Sequence, residues 1–290
     1  MFAASGGRGS VTLRALVLGL NEIASAVAVE LFKAGYGVIM SHDPNPPVIR
    51  RGMAFYDALF LDPISVGGVS SVCVENTLAA RNCMTEREFI AVTRLGTHEL
   101  LTIDRFDVLV DARMQKKAPR PDLRAVANVT VGLGPGFAVG ENCDVAIETQ
   151  PAKQGTLVKT GATLPADGVS RQLGGVGAER FVYSPAAGAW RTSLDVGMRV
   201  FKGLPLGLID DIEVHAPIDG VLRGIARDGS KIPNGVKLIE IDPRGRDARW
   251  TGTDDRGLTI AQATVLAVFQ ARAGMQQKRS KANQRSPGSA

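Results

Sequence analysis

Apolar and polar positions alternate along the first part of the chain in the manner of strands and helices that share one core. Residues 11–18 are an apolar run that predicts a buried strand. Between residues 23 and 34 the apolar positions recur at three- and four-residue steps, which predicts an amphipathic helix that ends at Gly35. Residues 37–40 predict a second strand. Because strand, turn, helix and strand in this order form a βαβ unit, we expect residues 1–150 to be an α/β domain with a Rossmann-like parallel sheet.

A glycine-rich stretch, residues 131–148, marks the change from this pattern to a β-rich one. It places four glycines and Pro135 between two strand-like runs, residues 125–131 and 144–149. Glycine accepts backbone conformations that other residues avoid and lets the main chain approach a neighbouring group. The loop therefore predicts either a set of amide groups facing an anion or a tight connection without a ligand.

An internal repeat organises the second half. Residues 184–210 and 216–242 align at an offset of 32 with eight identities, three of them at glycines in turn positions. This predicts one hairpin-rich unit used twice, and it resembles the two halves of a biotinyl/lipoyl-type barrel-sandwich domain. The segment between the halves, residues 211–215, contains no lysine, so we expect neither biotin nor lipoate to be carried.

The C-terminal part predicts a helix that returns to the α/β domain. Leu258, Ala261, Val265 and Phe269 form its predicted buried stripe. The expected organisation is a Rossmann-like domain over 1–150, a β-rich barrel-sandwich domain over 151–250, a return helix over 251–271 and a disordered basic tail over 272–290.

Composition and charge narrow the possible functions. A hydrophobic fraction of 44% with 22% charged residues is that of an ordinary globular protein. No apolar run approaches the roughly 20 residues that span a bilayer, so we expect a cytoplasmic protein without a membrane partner. The net charge of +5 is matched by five basic residues in the tail, which has no acid. A nucleic-acid partner is therefore not expected.

The cysteines and histidines predict no metal centre. Cys73, Cys83 and Cys143 fit neither a disulfide framework nor a zinc site, and reduced thiols fit them best. The three histidines lie far apart in the chain, without a metal-binding spacing.

The first turn is a weak version of the dinucleotide-binding motif. Gly19, Asn21 and Ala24 occupy the positions of the three glycines in G-x-G-x-x-G. The turn can form, but the Asn21 side chain would fill the space that a phosphate needs. Gly19 and Asn21 remain candidate cofactor-binding residues.

Further candidates follow the predicted strands. Arg50 and Arg51, beside a proline-rich loop, either clamp a carboxylate or phosphate or form a solvated helix end. Asp111 ends a buried strand and is followed by Arg113, Lys116 and Lys117, at the sheet edge where ligands bind in open α/β sheets. A capping role for Asp111 is the alternative.

From Leu16 to Phe269 the chain resembles the accessory proteins encoded with selenium-dependent molybdenum hydroxylases, which are related in part to xanthine dehydrogenase maturation factors. The residues that carry the resemblance are Ile49-Arg50-Arg51 with Phe55, Val110-Asp111-Ala112, the run from Gly132 to Phe137, Asp144 with Ile147-Glu148-Thr149, Gly174-Gly175 with Glu179-Arg180, the run from Ala216 to Gly224, and the run from Asp242 to Gly245.

The resemblance implies a non-catalytic maturation factor that binds a nucleotide- or molybdopterin-like anion and a client enzyme such as a molybdenum hydroxylase. The anion would lie at Arg50, Arg51, Asp111 and the loop from Gly134 to Gly136. The alternative is an enzyme that acts on a phosphate- or carboxylate-bearing pterin or nucleotide in another pathway, such as one-carbon metabolism, with Asp111 or Glu148 as general base. The absence of a paired acid/base motif favours the non-catalytic protein.

Overall fold

The computed structural model describes residues 12–116 and 118–284, with the side chains of 278–284 left undescribed. Within these residues nine strands form one sheet in the order β3-β4-β5-β2-β1-β6-β7-β8-β9. The strands are β1 (Leu13–Leu18), β2 (Tyr36–Ser41), β3 (Ile64–Val66), β4 (Val69–Cys73), β5 (Ile90–Thr93), β6 (Phe106–Asp111), β7 (Ala127–Leu133), β8 (Val145–Ile147) and β9 (Leu157–Val158). The helices are α1 (Glu22–Lys33), α2 (Thr77–Glu86), α3 (Thr97–Leu100) and α4 (Asp255–Gln284).

The inner strands of this sheet are apolar on both faces and run parallel to each other. β1 pairs in parallel with β2 and with β6, and the parallel pairing continues to β4 on one side and β8 on the other. Strands buried on both faces are typical of parallel sheets. α1 packs its apolar side against this sheet, with Val27 and Leu31 fully buried. The left-handed Gly35, at φ +97°, then turns the chain into β2.

Residues 181–242 form a second unit, here called the β module. Two four-stranded antiparallel sheets build it within the described residues, in the orders β10-β17-β15-β12 and β14-β13-β11-β16. Its strands are β10 (Phe181–Tyr183), β11 (Gly188–Arg191), β12 (Arg199–Val200), β13 (Pro205–Ile209), β14 (Ile212–His215), β15 (Gly220–Ile225), β16 (Lys231–Ile232) and β17 (Lys237–Asp242).

The repeat in the sequence has a direct counterpart in the strand order of the β module. When each strand is replaced by its counterpart about 32 residues away, the first sheet becomes the second. Each sheet therefore contains strands of both repeat halves. The core between the sheets centres on Trp190, which is fully buried and donates its indole N–H to the carbonyl of Ala226 at 3.1 Å.

The predicted fold class is wrong in two respects. The large sheet is mixed rather than parallel, because β3 and β9 close its two edges in antiparallel pairs. Few helices cover it. In the β module the two antiparallel sheets remain separate, and no closed barrel forms among the described residues.

α4 begins at Asp255 and packs against α1 and the sheet. Its buried face is formed by Ile260, Ala261, Thr264, Ala267 and Val268. The predicted stripe is wrong at Leu258 and Phe269, which are partly exposed. The apolar residues of this helix are spread over more than one of its faces, so the sequence pattern alone could not identify the face that packs against α1.

The helix also continues to Gln284, well beyond the predicted end at residue 271. Residues 285–290 of the predicted disordered tail lie outside the described residues. No helix in the described part of the chain is both long and apolar enough to cross a membrane.

Candidate functional site

A cleft of about 1590 Å³ separates the carboxyl edge of the large sheet from the β module. Its walls come from the turn before α1, the loops after β2, β6 and β8, strand β17 and the segment before α4. Among the described residues eleven lysines and arginines line it, against seven aspartates and glutamates. Positive charge therefore exceeds negative charge around a concave surface.

The floor of the cleft contains a buried ion cluster centred on Glu240. The fully buried carboxylate accepts from Nε of Arg50 at 2.6 Å and from Nε of Arg180 at 3.3 Å, with Nε of Arg223 at 3.6 Å. Burial opposes ionisation of Glu240, yet the attraction of Arg50, Arg223 and Arg180 outweighs it and holds the pKa of this carboxyl below its usual value. Glu240 thus stays charged and orients three guanidinium groups.

Arg50 lines the cleft, but its donors are already occupied. Its Nε and Nη2 bond Glu240, and Nη1 bonds Glu22 at 3.0 Å. Burial works against its charge, while Glu240 and Glu22 raise its pKa above the ordinary arginine value. Arg50 therefore links the sheet domain to the β module and contributes its charge to the cleft, without a free fork for a ligand.

Arg51 has a structural role away from the cleft. It is buried, and its guanidinium donates to the carbonyl of Ile225 at 3.0 Å, to Asp57 at 2.6 Å and to Asp195. Its contacts join the loop after β2 to strands of the β module. The structure does not bring Arg51 together with the other predicted ligand-binding residues, because Arg50 and Arg51 point to different partners.

The turn before α1 is closed by its own side chain. Asn21 is the N-cap of the helix, and its Oδ1 accepts from the amides of Ile23 and Ala24 at 3.0 Å each. Its Nδ2 donates to the carbonyl of Ala112 at 2.7 Å. Gly19 is needed because a Cβ there would meet that carbonyl oxygen at 3.0 Å, with φ at +106°. The amides that would hold a phosphate are therefore occupied by the Asn21 side chain.

Asp111 is buried at the end of β6 and forms a two-point ion pair with Arg113. The distances are 2.6 Å to Nη2 and 3.0 Å to Nε of that arginine. The hydrogen bond to Asp111 is the main reason why the pKa of Arg113 is raised. Asp111 is thus paired with Arg113 and does not itself line the cleft, whereas Arg113 and the exposed Lys116 do; Lys117 lies outside the described residues.

The glycine-rich loop uses its amides internally. Gly134 donates its N–H to the carbonyl of Ile147 at 3.2 Å, and Phe137 donates to the hydroxyl of Thr163. Gly134 and Gly136 have φ of +88° and +87°, and a Cβ at Gly134 would meet Thr149 Oγ1 at 2.9 Å. Of the two sequence interpretations, these contacts favour a tight connection. Pro135 alone of the Gly134–Gly136 loop lines the cleft.

Glu148 is held in place by backbone groups. Its buried carboxylate accepts from the amides of Thr149, Gln150 and Leu164 at 2.7 to 2.8 Å. This geometry fastens two loops at the cleft rim, and Glu148 itself does not line the cleft.

Sequence reasoning missed Lys237, at the start of β17. Its Nζ lies 3.5 Å from the centre of the Phe181 ring, and no described carboxylate lies within 4 Å of it. Burial lowers the pKa of Lys237 to about 8; Glu240 partly offsets this, and the positive charges of Arg50, Lys116 and Arg180 lower it further. Lys237 and Glu240 stand among Leu238, Ile239 and Ile241, so charges inside an apolar strand were the available signal.

Arg256, in the first turn of α4, was also missed. It donates from Nη2 to the carbonyl of Thr149 at 3.1 Å, while its buried Nε has no hydrogen-bond partner. Burial is the main cause that lowers its pKa, and no described carboxylate approaches its guanidinium within 4 Å. Lys237 and Arg256 are thus half-buried cations of the cleft for which the described residues provide no ion-pair partner.

No group of three or more His, Cys, Asp or Glu side chains in the described residues is arranged to hold a metal ion. The predicted absence of a metal and the predicted protein partner stay predictions.

Comparison with known proteins finds a relative by sequence. No protein-family model matches the chain. Over 257 residues it is 34% identical to an uncharacterized protein, YqeB, of Escherichia coli (strain K12), with 88% of this chain and 47% of the relative aligned. The chain thus spans about half the length of that curated relative.

Solved structures give weaker likenesses. A succinylglutamate desuccinylase/aspartoacylase from Rhodobacter sphaeroides is 12% identical, covers 78% of this chain and 51% of its own, and has a TM-score of 0.20. The ectoine utilization protein EutE (DoeB) from Ruegeria pomeroyi is 14% identical over 79% and 85%, with a TM-score of 0.26. An aspartoacylase family protein from Mesorhizobium loti is 11% identical over 81% and 86%, with a TM-score of 0.24.

These findings correct the resemblance drawn from the sequence. The similar solved structures are named as desuccinylase and aspartoacylase family enzymes, not as maturation factors of molybdenum hydroxylases. The predicted family and the predicted non-catalytic maturation role are therefore wrong, and the pterin or nucleotide enzyme gains no support. At TM-scores this low the likenesses assign no activity to this chain, so a proposal for its function has to rest on the cleft.

Proposed function

We propose that the cleft binds a small organic anion through side-chain cations. The observation that carries the proposal is the pair Lys237 and Arg256, whose charges lie in the cleft walls without a carboxylate within 4 Å among the described residues. Both side chains are half-buried, and a charge that is partly removed from water without a partner is disfavoured. An anionic ligand provides the missing partner.

The backbone contributes little to this recognition. Asn21 occupies the amides at the start of α1, and the amides of Gly134 and Phe137 donate within the protein. Anion binding at helix termini and glycine-rich turns depends on free amides. Recognition therefore rests on lysine and arginine side chains, which pair with carboxylate or phosphate groups.

The rest of the lining fits the carbon part of such a ligand. Val48, Met53, Leu164 and Leu173 line the cleft together with the aromatic rings of Phe181 and Tyr183. Ligand sites are commonly concave and apolar with a few placed polar groups. An organic anion fits this combination better than an inorganic one.

We place this function in the cytoplasm, because the three cysteines, Cys73, Cys83 and Cys143, are free thiols in the described residues. Free thiols are the usual state in a reducing compartment.

The test is direct binding to the purified chain. Calorimetry at pH 7 and low salt should detect monocarboxylates, dicarboxylates and phosphate esters of two to seven carbons, and bound anions should raise the unfolding temperature. A ligand at 100 times its Kd stabilises the folded state by about 2.7 kcal/mol. Added sodium chloride should weaken binding, since salt screens such pairs.

A matched control is Lys202→Met, which removes an exposed lysine of the β module outside the cleft. It should bind anions as the unchanged protein does. If no anion of the panel gives heat or a shift in unfolding temperature at millimolar concentration, the proposed function is wrong.

A further inference from the structure

A β-bulge in β17 turns Lys237 towards the cleft. Across the pair with β10, Glu240 lies opposite Phe181 and Lys237 lies opposite Tyr183, so Leu238 is the extra residue on β17. Side chains alternate between the two faces of a strand, and residues three apart share a face only where a bulge intervenes. Lys237 and Glu240 are three apart and both line the cleft, together with Phe181 and Tyr183. The strand geometry therefore presents the Lys237 amine to the space where a ligand binds.

The amine lies on an aromatic surface. The Nζ of Lys237 is 3.5 Å from the centre of the ring of Phe181, which is itself buried. Glu240, the carboxylate that shares this face of β17, is bonded to Arg50 and Arg180 instead. The Lys237 side chain is half-buried, so its amine is partly shielded from water and still reachable from the cleft.

Chemistry singles out Lys237 among the cations of the cleft. Nine of the eleven described ones are arginines, whose guanidinium groups keep their protons and offer no nucleophilic lone pair. The two described lysines are Lys116, which is exposed, and Lys237. Lys237 is thus the half-buried primary amine of this cleft among the residues that the structure describes.

Burial gives this amine an appreciable unprotonated fraction near neutral pH. It lowers the pKa of Lys237 from 10.5 to about 8; Glu240 opposes the change, and the charges of Arg50, Lys116 and Arg180 add to it. At pH 7 roughly one tenth of such an amine is unprotonated, against about one part in three thousand at the ordinary pKa of lysine. A lysine that is desolvated beside other cations is a common form of amine nucleophile.

We propose that Lys237 forms an imine with the aldehyde or ketone group of an organic acid held in the cleft. This inference rests on the proposed function for the binding of the acid, and it adds a carbonyl group as the part that reacts. The carboxylate is attracted by the excess of positive charge in the lining. The ring of Phe181 limits the water around the amine, which favours a reaction that releases water.

The reaction releases one water molecule for each C=N double bond that forms. The lone pair of the unprotonated Nζ attacks the carbonyl carbon, and one electron pair of the C=O double bond moves to the oxygen. The two amine protons are transferred through water to this oxygen, which leaves as a water molecule when the nitrogen forms its second bond to the carbon. Amine and carbonyl thus give imine and water, and no oxidant or reductant is consumed.

The experiment traps the imine by reduction in the full chain. The purified protein is incubated at pH 7 with pyruvate and sodium cyanoborohydride, and peptide mapping by mass spectrometry gives the rate of modification at each lysine. Lys237 should be modified about tenfold or more faster than the exposed Lys116, since its unprotonated fraction is much larger. The ratio of the two rates should be smaller with acetone, a ketone of similar size without a carboxylate.

Two variants complete the test. Lys237→Arg keeps a positive charge but has no primary amine, so the fast-reacting site should be lost. Lys202→Met, which removes an exposed lysine outside the cleft, should leave the rate at Lys237 unchanged. Circular dichroism with thermal unfolding should show that both variants are folded.

Two results overturn this inference: modification of Lys237 that is no faster than that of Lys116, and an equal ratio of the two rates with pyruvate and with acetone. Calorimetry with lactate, an acid of the same length whose hydroxyl group forms no imine, tests the proposed function separately. Binding of lactate or pyruvate leaves that function in place, whereas absence of binding by every acid of the panel overturns it.

Discussion

The turn before α1 and the wall formed by β17 face the same cleft but differ in whether their positive groups already have a negative or oxygen partner within the protein. In the turn, Asn21 supplies an oxygen to two amide groups, so the protein fills its own anion position. In the wall, the charges that act on Lys237 from the described part of the chain are those of three cations and of one carboxylate, Glu240. The turn that resembles a nucleotide-binding motif therefore has its amide donors occupied, whereas β17, which has no motif, presents a cation without an ion-pair partner among the described residues.

The difference lies in how far apart in sequence the partners are. Asn21 caps amides two and three residues away, an arrangement that local chemistry decides. Glu240 and Arg50 are separated by 190 residues and meet only after both units fold. The unsatisfied charge in the cleft is a property of the tertiary structure.

The largest expected effect comes from removing the carboxylate that holds the wall together. Glu240→Gln leaves Arg50, Arg180 and Arg223 close together without their shared counter-charge. Breaking a buried ion cluster in this way costs about 3–5 kcal/mol in the free energy of unfolding. Urea unfolding at pH 7 measures it, with the midpoint and the slope both recorded.

A matched control is Glu30→Gln, which breaks the exposed pair with Lys33 on α1. Exposed pairs contribute about 0–1 kcal/mol. Equal losses for the two variants would mean that the Glu240 cluster is not a structural centre of the cleft.

A smaller loss is expected at Glu148. Glu148→Gln replaces a carboxylate that accepts three amide hydrogen bonds by a side chain with one acceptor oxygen. Hydrogen bonds to charged groups contribute about 1.5–3 kcal/mol, so a loss of stability in that range is expected. Unchanged stability in thermal and urea unfolding would contradict the role of Glu148 in holding the two loops of the cleft rim together.

Asn21→Ala tests the turn itself. Loss of an N-cap costs about 0.5–2 kcal/mol of stability. Anion affinity, measured by calorimetry on the same protein, should stay unchanged, because the ligand depends on side-chain cations. A fall in affinity of tenfold or more would show that the turn takes part in binding after all.

The sequence predicted the parts that local patterns determine. The β1-α1-β2 order follows from apolar positions that recur over a few residues, and the doubled strand pattern of the β module follows from the 32-residue repeat. The antiparallel edge strands β3 and β9 could not be predicted in this way. A strand of two or three residues shows no alternation of apolar and polar positions, and its direction depends on the strand with which it pairs.

The candidate site shows the same division. Gly19 and Asn21 were found because a turn motif is local, and Arg50 because a charge follows a proline loop. Arg51 stands next to it in sequence, but its partners Asp195 and Ile225 come from the β module, which the sequence does not place. Arg256 was missed because only folding brings it to Thr149.

The remaining prediction, no larger in size than that for Asn21→Ala, is opposite in sign to the others. Without ligand, Lys237→Met should stabilise the protein at pH 7 by about 0.5–2 kcal/mol, since it removes a charge that burial and the charges of Arg50, Lys116 and Arg180 disfavour.

The pKa of Lys237 falls from 10.5 to about 8 on folding. Below about pH 8 both states hold the proton and the cost is complete; between about 8 and 10.5 the folded protein loses the proton while the unfolded chain keeps it, so the stability of the unchanged protein rises relative to the variant. The advantage of Lys237→Met should therefore shrink across this window in urea titrations at pH 7, 8, 9 and 10. A difference that is constant with pH would mean that Lys237 is not desolvated in the cleft. A saturating anion that binds at Lys237 should reverse the order of the two proteins at pH 7.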